Sequence, residues 1–268
     1  MFRQPVHLSN LRIMHPLHNI LFLDIETASQ HESFEALPDA WRELWTAKAQ
    51  GLMRHYATET VESLYGRAGI YAEFGKIICI SCGYILNKGD EKRLVLKSLY
   101  CEDEKELLQQ FCAMLSKWNA DSTKTLCAHN GKEFDFPYLC RRMTIHGMKL
   151  PSCLQIGNKK PWEIPLLDTM EMWKFGDFKS YTSLNLLANV LGIPSPKDDM
   201  DGSMVGEIYW GAKTQEQRES CLERIATYCQ KDVVTVAQVY LRLQGEELIS
   251  SANIEIKKYG SHQLFVRG

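Results

Sequence analysis

The stretch "LFLDIETAS", residues 21–29, is an apolar run that ends in two carboxylates. Successive side chains on a strand point to opposite faces, so Asp24 and Glu26, two positions apart, would project from the same face. Like charges at that spacing repel each other unless a cation lies between them. The stretch therefore predicts a buried strand that ends in a candidate metal site.

Two further carboxylates could join this site. In "YCQKDVV", Tyr228 and Asp232 are four residues apart and would share one face of a helix. The rest of that face is apolar, so an inward-pointing Asp232 would be costly to bury without a charged partner. In "AHNGKEFDFPYL", Asp135 opens a predicted helix two residues before Pro137. A metal held by Asp24, Glu26 and Asp232 would remove the cost of burial at all three positions.

Ligands that are all oxygen atoms favour hard ions, Mg²⁺ or Mn²⁺, over zinc. Where several carboxylates converge, the usual chemistry is two-metal displacement at phosphorus, with ions about 4 Å apart that brace the attacking and the leaving oxygen. The pattern therefore predicts a phosphodiester substrate. A DxE pair alone is a weak signal, and the prediction depends on the three stretches together.

Composition limits the class of protein. The 268 residues are 45% hydrophobic and 24% charged, which is typical of a soluble globular protein. A net charge of −2 argues against binding nucleic acid through a strong overall positive field, although a local basic groove would be hidden in that sum. No segment approaches the 18 or so apolar residues of a membrane span, and the sequence predicts no membrane association.

The nine cysteines have no repeating spacing and no signal peptide precedes them, which predicts reduced thiols in a cytoplasmic protein. Cys79 and Cys82 form a CxxC inside an apolar strand pattern. Residues three apart on a strand face opposite sides, so we predict two buried small side chains there and no zinc or redox pair.

The pattern of the chain predicts one α/β domain over residues 1–268, with an inserted helical segment at about 28–74. Strands are expected in "NILFLDIE", in a hairpin made by "KIICISCGYIL" and "RLVLKSLY", and in "KTLCAHN". Helices are expected in "DAWRELWTAKAQGLM", "DEKELLQQFCAMLSKW", "FDFPYLCRRMTIHG", "SLNLLANVLG" and the long run from "EQRES" to "LRLQ", with a loop over 193–211.

The motifs resemble those of a known superfamily. "DIET", "HNGKEFDFPYL" and "YCQKD" are similar, in order and spacing, to the three exonuclease motifs of the DEDD superfamily. The likeness is greatest to the 3′–5′ proofreading exonuclease domain of family B DNA polymerases, and it covers most of residues 20–243. Tyrosine, not histidine, stands four residues before Asp232, which indicates the tyrosine branch. No histidine lies between His146 and His262 to serve the histidine branch.

The resemblance implies an RNase H-like α/β fold, a mixed sheet flanked by helices, and a two-metal site. Asp24 would bridge two Mg²⁺ or Mn²⁺ ions, Glu26 and Asp232 would complete the tighter site, and Asp135 would hold the shell of the second ion. Tyr228 would orient the attacking water. Its phenol, with an unperturbed pKa of about 10, is a poor base at neutral pH.

The resemblance also implies substrate contacts at Asn130, Phe134 and Thr27. From the residues alone, Asn130 is equally compatible with a turn, and Phe134 with a core position. Asp168, in "IPLLDTMEMW", is expected to be a helix cap outside the site. Arg142, in "CRRM", is expected to be ordinary surface charge.

The implied function is metal-dependent 3′–5′ hydrolysis of single-stranded DNA, as in DNA repair, by a free-standing exonuclease. Two alternatives remain open. An exoribonuclease would use the same constellation, because the metal site does not sense the 2′-hydroxyl. A non-catalytic nucleic-acid-binding module would keep the fold, although retention of all five site residues argues against it.

Overall fold

Six strands form one mixed sheet in the computed structural model, which describes residues 15–89, 91–118, 123–177, 181–194 and 200–257. The strands are β1 (Ile20–Ser29), β2 (Gly75–Lys88), β3 (Glu91–Tyr100), β4 (Thr125–Ala128), β5 (Leu167–Asp168) and β6 (Ile254–Lys257). Their order across the sheet is β5-β4-β1-β2-β3-β6. The "LFLDIETAS" strand therefore lies inside the sheet, with a neighbour on each side.

The first three strands form an antiparallel meander, and the outer strands are parallel to their neighbours. The predicted hairpin is β2 and β3, paired from Lys88↔Glu91 to Cys79↔Tyr100. This mixed sheet, with helices packed on it, confirms the predicted RNase H-like α/β class. Sequence reasoning missed β5 and β6, which have two and four residues.

Eight α-helices are present in the described part of the chain. They are α1 (Asp39–Leu52), α2 (Val61–Leu64), α3 (Glu104–Trp118), α4 (Asp135–Ile145), α5 (Thr169–Lys174), α6 (Leu184–Val190), α7 (Val205–Gly211) and α8 (Gln215–Gln244). The predicted loop over 193–211 is wrong at its end, because α7 occupies the last seven residues. Its burial of Val205 and Tyr209 against α8 explains why this short segment is helical.

Local signals position the helices that carry the site. Helix α4 begins at Asp135 with Pro137 in its first turn, where the missing N–H costs nothing. Helix α8 begins with a capping box of Thr214 and Gln217 and ends at Gly245, whose φ of 75° is the left-handed conformation that glycine adopts readily.

The two faces of β1 belong to different cores. Leu21, Leu23 and Ile25 pack in the cluster that contains α3 and α4. Ile20 and Phe22 pack on the opposite face, against Val233, Val236 and Ala237 of α8. Asp24 and Glu26 continue the second series, so the alternation of the strand directs both carboxylates to the side of α8.

The segment between β1 and β2 has a small core of its own. Trp45 of α1 is fully buried, and its indole donates a hydrogen bond to the Val61 carbonyl oxygen at 2.9 Å. The rings of Tyr65 and Phe74 meet Trp45 edge-on, with centroids 5.2 and 5.0 Å away. This aromatic packing explains why the predicted inserted segment is ordered over residues 30–74.

A buried ion pair joins α3 to α4. Arg142 and Glu104 are 2% and 6% exposed, and the Arg142 guanidinium donates two hydrogen bonds to the Glu104 carboxylate and one to the Ala72 carbonyl oxygen. Glu104 also accepts the backbone N–H of Ile77. The prediction that Arg142 is surface charge is therefore wrong, because a basic residue in a mixed helix pattern does not reveal the buried acid on another helix.

We expect Arg142→Ala to lower the free energy of unfolding by about 3–5 kcal/mol, since it leaves the Glu104 carboxylate buried without its cation. Denaturant unfolding followed by circular dichroism measures the change. The matched control is Arg141→Ala at the neighbouring exposed position, with an expected change within about 0.5 kcal/mol. Equal losses for the two variants would contradict the role of the buried pair.

Candidate active site

Asp24 and Glu26 lie on β1 just beyond Phe22, the last residue of this strand that pairs with β4. Oxygen atoms of both carboxylates and the Cys229 sulfur lie within 4.8 Å of one another. Glu26 is 6% exposed and Asp24 is half-buried. A shift in register between Glu26 and Thr27 marks a bulge in the pairing of β1 with β2, a feature that is common beside active sites.

Cys229 of α8 contacts the first acid directly. Its thiol points at the Asp24 carboxylate, 3.3 Å from Oδ2, and at the Asp24 carbonyl oxygen, 3.4 Å away. Burial raises the pKa of Cys229 well above its usual value, so the group remains a thiol that donates a weak hydrogen bond. The carboxylates, not the thiol, are therefore the groups of this cluster that could hold a metal, and Cys229 supports Asp24.

Asp232 and Tyr228 approach the same carboxylates from α8. The Tyr228 hydroxyl and the Asp232 carboxylate are hydrogen-bonded, as residues four apart on one helix face can be. Burial, then the negative charges of Asp232, Glu26 and Asp24, raise the pKa of Tyr228 far above its usual value. Tyr228 is therefore a neutral hydroxyl aimed into an acidic site.

Asp135 reaches the site from the first turn of α4. β4 pairs with β1 only at Ile20, Leu21 and Phe22, so the backbone of β1 beyond them is not covered by that strand. The Asp135 carboxylate accepts the backbone N–H of Ile25, the residue between the first two acids. This bond fixes a 3% exposed carboxylate against the strand that carries Asp24 and Glu26.

The charges of the neighbouring acids make Asp24, Glu26 and Asp135 harder to ionise. Burial is the largest cause of the raised pKa values of Asp24 and Glu26, and the charges of Asp232 and Asp135 add to it. Burial, together with the charge of Asp168 and Asp232, raises the pKa of Asp135 to about 7. A divalent cation between these groups would reverse the shifts, because it favours their charged forms.

Asp168 holds the loop that leads into α4. Its carboxylate accepts the backbone N–H groups of Asn130 and Lys132, each at 3.0 Å. It also caps α5 by accepting the N–H of Met170 and Glu171, which confirms the predicted cap. One buried carboxylate thus fixes two segments, 130–132 and the start of α5.

The predicted substrate residues lie along this loop and at the end of β1. Asn130 has a φ of 60°, and its buried side-chain Oδ1 has no hydrogen-bond partner in the described part of the chain. Phe134 is half-buried against the core, with its ring centroid 5.3 Å from that of Tyr138. The Tyr138 hydroxyl is hydrogen-bonded to Thr27, so Thr27 has a structural contact at the same edge.

The structure thus brings together Asp24, Glu26, Asp135, Tyr228 and Asp232. The oxygen donors fit a hard divalent ion, because the set contains carboxylates and no histidine, and the Cys229 sulfur beside them remains a thiol. Sequence reasoning missed Cys229, which follows Tyr228 in the motif, and the second role of Asp168. Only the position of Asp168 at a strand end signalled its role.

Comparison with known proteins identifies a family. Over residues 70–266 the chain matches the model of a family described as predicted 3′–5′ exonucleases related to the exonuclease domain of PolB. The chain belongs to this family. The matched region includes Asp135, Tyr228 and Asp232 and begins after the strand that carries Asp24 and Glu26.

The exonuclease is also similar to a solved structure, that of the family B DNA polymerase from the hyperthermophilic archaeon Pyrobaculum calidifontis. The sequence identity is 15%, the TM-score is 0.46, and the match covers 83% of this chain and 24% of the polymerase chain. The exonuclease therefore spans about a quarter of that polymerase's length. No curated protein matches the chain.

Among the described residues of the exonuclease, no helix has the length and apolar character needed to cross a membrane. The family is one of nucleases, so its members act on nucleic acid.

We expect the metal-free exonuclease to lose stability as the pH rises towards about 7. The pKa of Asp135 is about 7 in the folded state, against about 3.9 in an unfolded chain. Between these values the folded state binds more protons than the unfolded state, so the free energy of unfolding falls with rising pH. The measurement is the melting temperature in EDTA at about pH 5.5 and 7.5.

Asp135→Asn is the informative variant, because it removes this titration and keeps the shape of the side chain. Burial lowers the pKa of His129, which acts in the opposite direction, and this contribution cancels in the difference between variant and wild type. We expect the variant to be stabilised relative to the wild type at both pH values, and more strongly at the higher one, because the unfolded carboxyl is already ionised at about pH 5.5. An equal effect at both pH values would contradict the raised pKa.

Proposed function

We propose that the protein is a metal-dependent 3′–5′ exonuclease that hydrolyses single-stranded DNA. The observation that carries the proposal is the convergence of four carboxylates, from β1, α4 and α8; burial and the neighbouring acids raise the pKa values of three of them, Asp24, Glu26 and Asp135. Such a cluster is costly for folding, and a bound cation would offset the cost. The described residues would then form one exonuclease domain with an insertion between β1 and β2.

Asp24, Glu26, Asp135 and Asp232 would hold the metal. When bound, two Mg²⁺ or Mn²⁺ ions would lower the pKa of a water molecule and stabilise charge on the attacking and leaving oxygens. The role of Asp24 as a ligand shared by both ions is supported by its neighbours, since Glu26 and Cys229 lie beside it and the charges of Asp232 and Asp135 are within electrostatic reach.

Tyr228 would position the attacking water. Its pKa is raised, so the phenol keeps its proton and can donate one hydrogen bond while its oxygen accepts another. The hydrogen bond to Asp232 fixes the direction of the hydroxyl. The role is therefore orientation of the water, not removal of its proton.

The 3′-terminal nucleotides would contact Asn130, Phe134 and Thr27. Asn130 supports this role best, because the unpartnered Oδ1 offers an acceptor that a nucleotide N–H or hydroxyl could satisfy. Phe134 presents only part of its ring, the rest being packed on the core. The nine free cysteines favour a reducing compartment such as the cytoplasm.

We expect Asp24→Ala and Asp232→Ala to abolish cleavage while the fold persists, because each removes a metal ligand and also relieves carboxylate repulsion. Initial rates on a 5′-labelled oligonucleotide with Mg²⁺ or Mn²⁺ measure the loss. Glu223→Ala, at an exposed position of α8, is the matched control and should retain wild-type activity. Full activity in either aspartate variant would refute the metal assignment.

The same assay tests direction and sugar preference. With the label at the 5′ end, products should shorten progressively from the 3′ terminus on DNA, and more slowly on an RNA of the same sequence. Release of the 5′ nucleotide first, or one internal cut, would contradict the proposal. Faster digestion of RNA would instead identify an exoribonuclease.

Tyr228→Phe should separate water orientation from metal binding. The ring stays packed and the carboxylates stay in place, but the hydroxyl that positions the water is lost. Orienting and proton-transfer groups are typically worth about 10² to 10⁴ in rate. We expect a loss of that size in kcat that added Mg²⁺ does not restore.

Asp232→Asn should behave differently, with weaker metal affinity and partial recovery at high Mn²⁺. Metal titrations of the initial rate compare the two variants with the wild type. Wild-type activity in Tyr228→Phe would show that the tyrosine serves only packing.

A further inference from the structure

The insertion between β1 and β2 is fastened to the edge of the sheet that carries the carboxylates. Gly69 packs on the end of β1 so closely that a Cβ there would lie 3.1 Å from the Ala28 carbonyl carbon. The Gly69 carbonyl oxygen accepts a hydrogen bond from the Tyr138 hydroxyl at 2.7 Å. Ala28 is two residues beyond Glu26, so the insertion adjoins the active site.

Tyr138 ties the insertion to two of the exonuclease motifs. It lies on α4, one turn after Asp135, and its hydroxyl is also bonded to Thr27. The side chain is 1% exposed, so these bonds are shielded from water. The position of the insertion is therefore fixed relative to both Glu26 and Asp135.

The outer surface of the insertion carries two cations on aromatic rings. The Lys48 ammonium lies 4.2 Å from the centre of the Tyr71 ring, and the Arg67 guanidinium lies 4.5 Å from the centre of the Tyr56 ring. The Arg67 guanidinium also donates to the Tyr56 hydroxyl at 3.2 Å. Lys48, Arg67 and Tyr56 are exposed.

The two pairs form one patch. Burial, then the neighbouring Tyr56, raises the pKa of Tyr71, while Arg67 lowers it, so the members of both pairs are within electrostatic reach of each other. Ile70, next to the Gly69 contact, is 50% exposed between Arg67 and Tyr71 in sequence. We call Lys48, Tyr56, Arg67, Ile70 and Tyr71 the insertion patch.

Exposed rings interleaved with cations match the chemistry of single-stranded nucleic acid. The phosphates of a strand pair with lysine and arginine, and its bases stack on aromatic faces without regard to sequence. A patch on a segment that is fastened at Gly69 to the end of β1 could thus hold nucleotides upstream of the 3′ terminus. The charge of the patch is opposite to that of the acidic site, which suits a ligand whose backbone is negative along its whole length.

We propose that the insertion patch is a binding surface for the single strand upstream of the scissile bond, which makes the insertion part of the substrate-binding machinery. The proposal rests on the proposed function for its substrate. A substrate too short to reach the patch should bind no more tightly because of it.

The test compares two substrates in the double variant Lys48→Ala/Arg67→Ala. One substrate is a single-stranded DNA 20-mer, and the other is the p-nitrophenyl ester of thymidine 5′-monophosphate, which occupies only the metal site. Two lost phosphate contacts should raise KM for the 20-mer about tenfold and reduce the magnitude of its salt-dependence slope by about 1.4. The rate on the ester should not change.

The matched control is Lys117→Ala/Arg242→Ala, which removes two exposed charges from the C-terminal ends of α3 and α8. We expect this control to keep the wild-type KM on the 20-mer. The single variant Tyr56→Leu should raise KM severalfold without changing the salt slope, because it removes a stacking face and no charge.

The proposal is overturned if the double variant has the wild-type KM on the 20-mer, which would leave the patch as a surface for another partner. Equal losses on both substrates would also overturn it, by showing a structural role. Fluorescence anisotropy of a labelled 20-mer in Ca²⁺ keeps the two proposals distinct. Suppose that the wild type binds the 20-mer in Ca²⁺ but cleaves nothing in Mg²⁺ or Mn²⁺, and that the double variant binds it about tenfold more weakly. The exonuclease function is then refuted and the binding role of the patch is supported.

Discussion

Repulsion among the carboxylates of Asp24, Glu26, Asp135 and Asp232 is the constraint that the rest of the structure must withstand. Free side chains would separate or take up protons, and the raised pKa values of the first three show how strongly this cluster favours the protonated forms. A cation turns the same geometry into a binding site. The fold therefore has to hold the acids together before any metal arrives.

The scaffold achieves this by placing the acids on elements that cannot move apart independently. Asp24 and Glu26 lie on an interior strand with apolar cores on both faces. The Ile25 N–H between them holds the Asp135 carboxylate, and the Cys229 thiol holds Asp24. Asp135 and Asp24 are thus each positioned by a donor that belongs to a different element, and the repulsion is opposed by these fixed donors and by the backbone of β1.

Contacts between segments far apart in the sequence complete the arrangement. Asp168 bonds the Asn130 and Lys132 amides across nearly forty residues. Tyr138 bonds the Gly69 carbonyl across 69 residues. Both side chains are buried, so a lost partner would leave a polar group unsatisfied, which typically costs about 1–3 kcal/mol. These contacts fix the loop at 130–132 to β5 and the insertion to α4.

These long-range contacts also explain what the sequence could and could not predict. The alternation in β1, the spacing of Tyr228 and Asp232, and Pro137 in the first turn of α4 are local, so they predicted the strand and the two helices on which the acids lie. The metal-binding role of the acids stays a prediction. The two-residue strand β5 exists because Cys127 and Ala128 of β4 pair with it, and no local sequence pattern predicts this pairing. The sequence around Arg142 predicts a surface charge, because its buried partner Glu104 lies on another helix.

The acidic cluster has little means of choosing a substrate. In the proposed mechanism its groups would engage metal, water and the phosphate, which are the same for every nucleotide, so discrimination would come from contacts outside the cluster. Asn130 and Phe134 lie within the region that matches the exonuclease family, 70–266, whereas most of the insertion precedes that region. If the insertion binds the strand as proposed, its surface can vary without disturbing the carboxylates, provided that Tyr138 and Gly69 hold the insertion in place. Changes in an aromatic segment that has its own small core could thus give a hydrolytic site a preference for substrate length and for single strands, while the site itself stays unchanged.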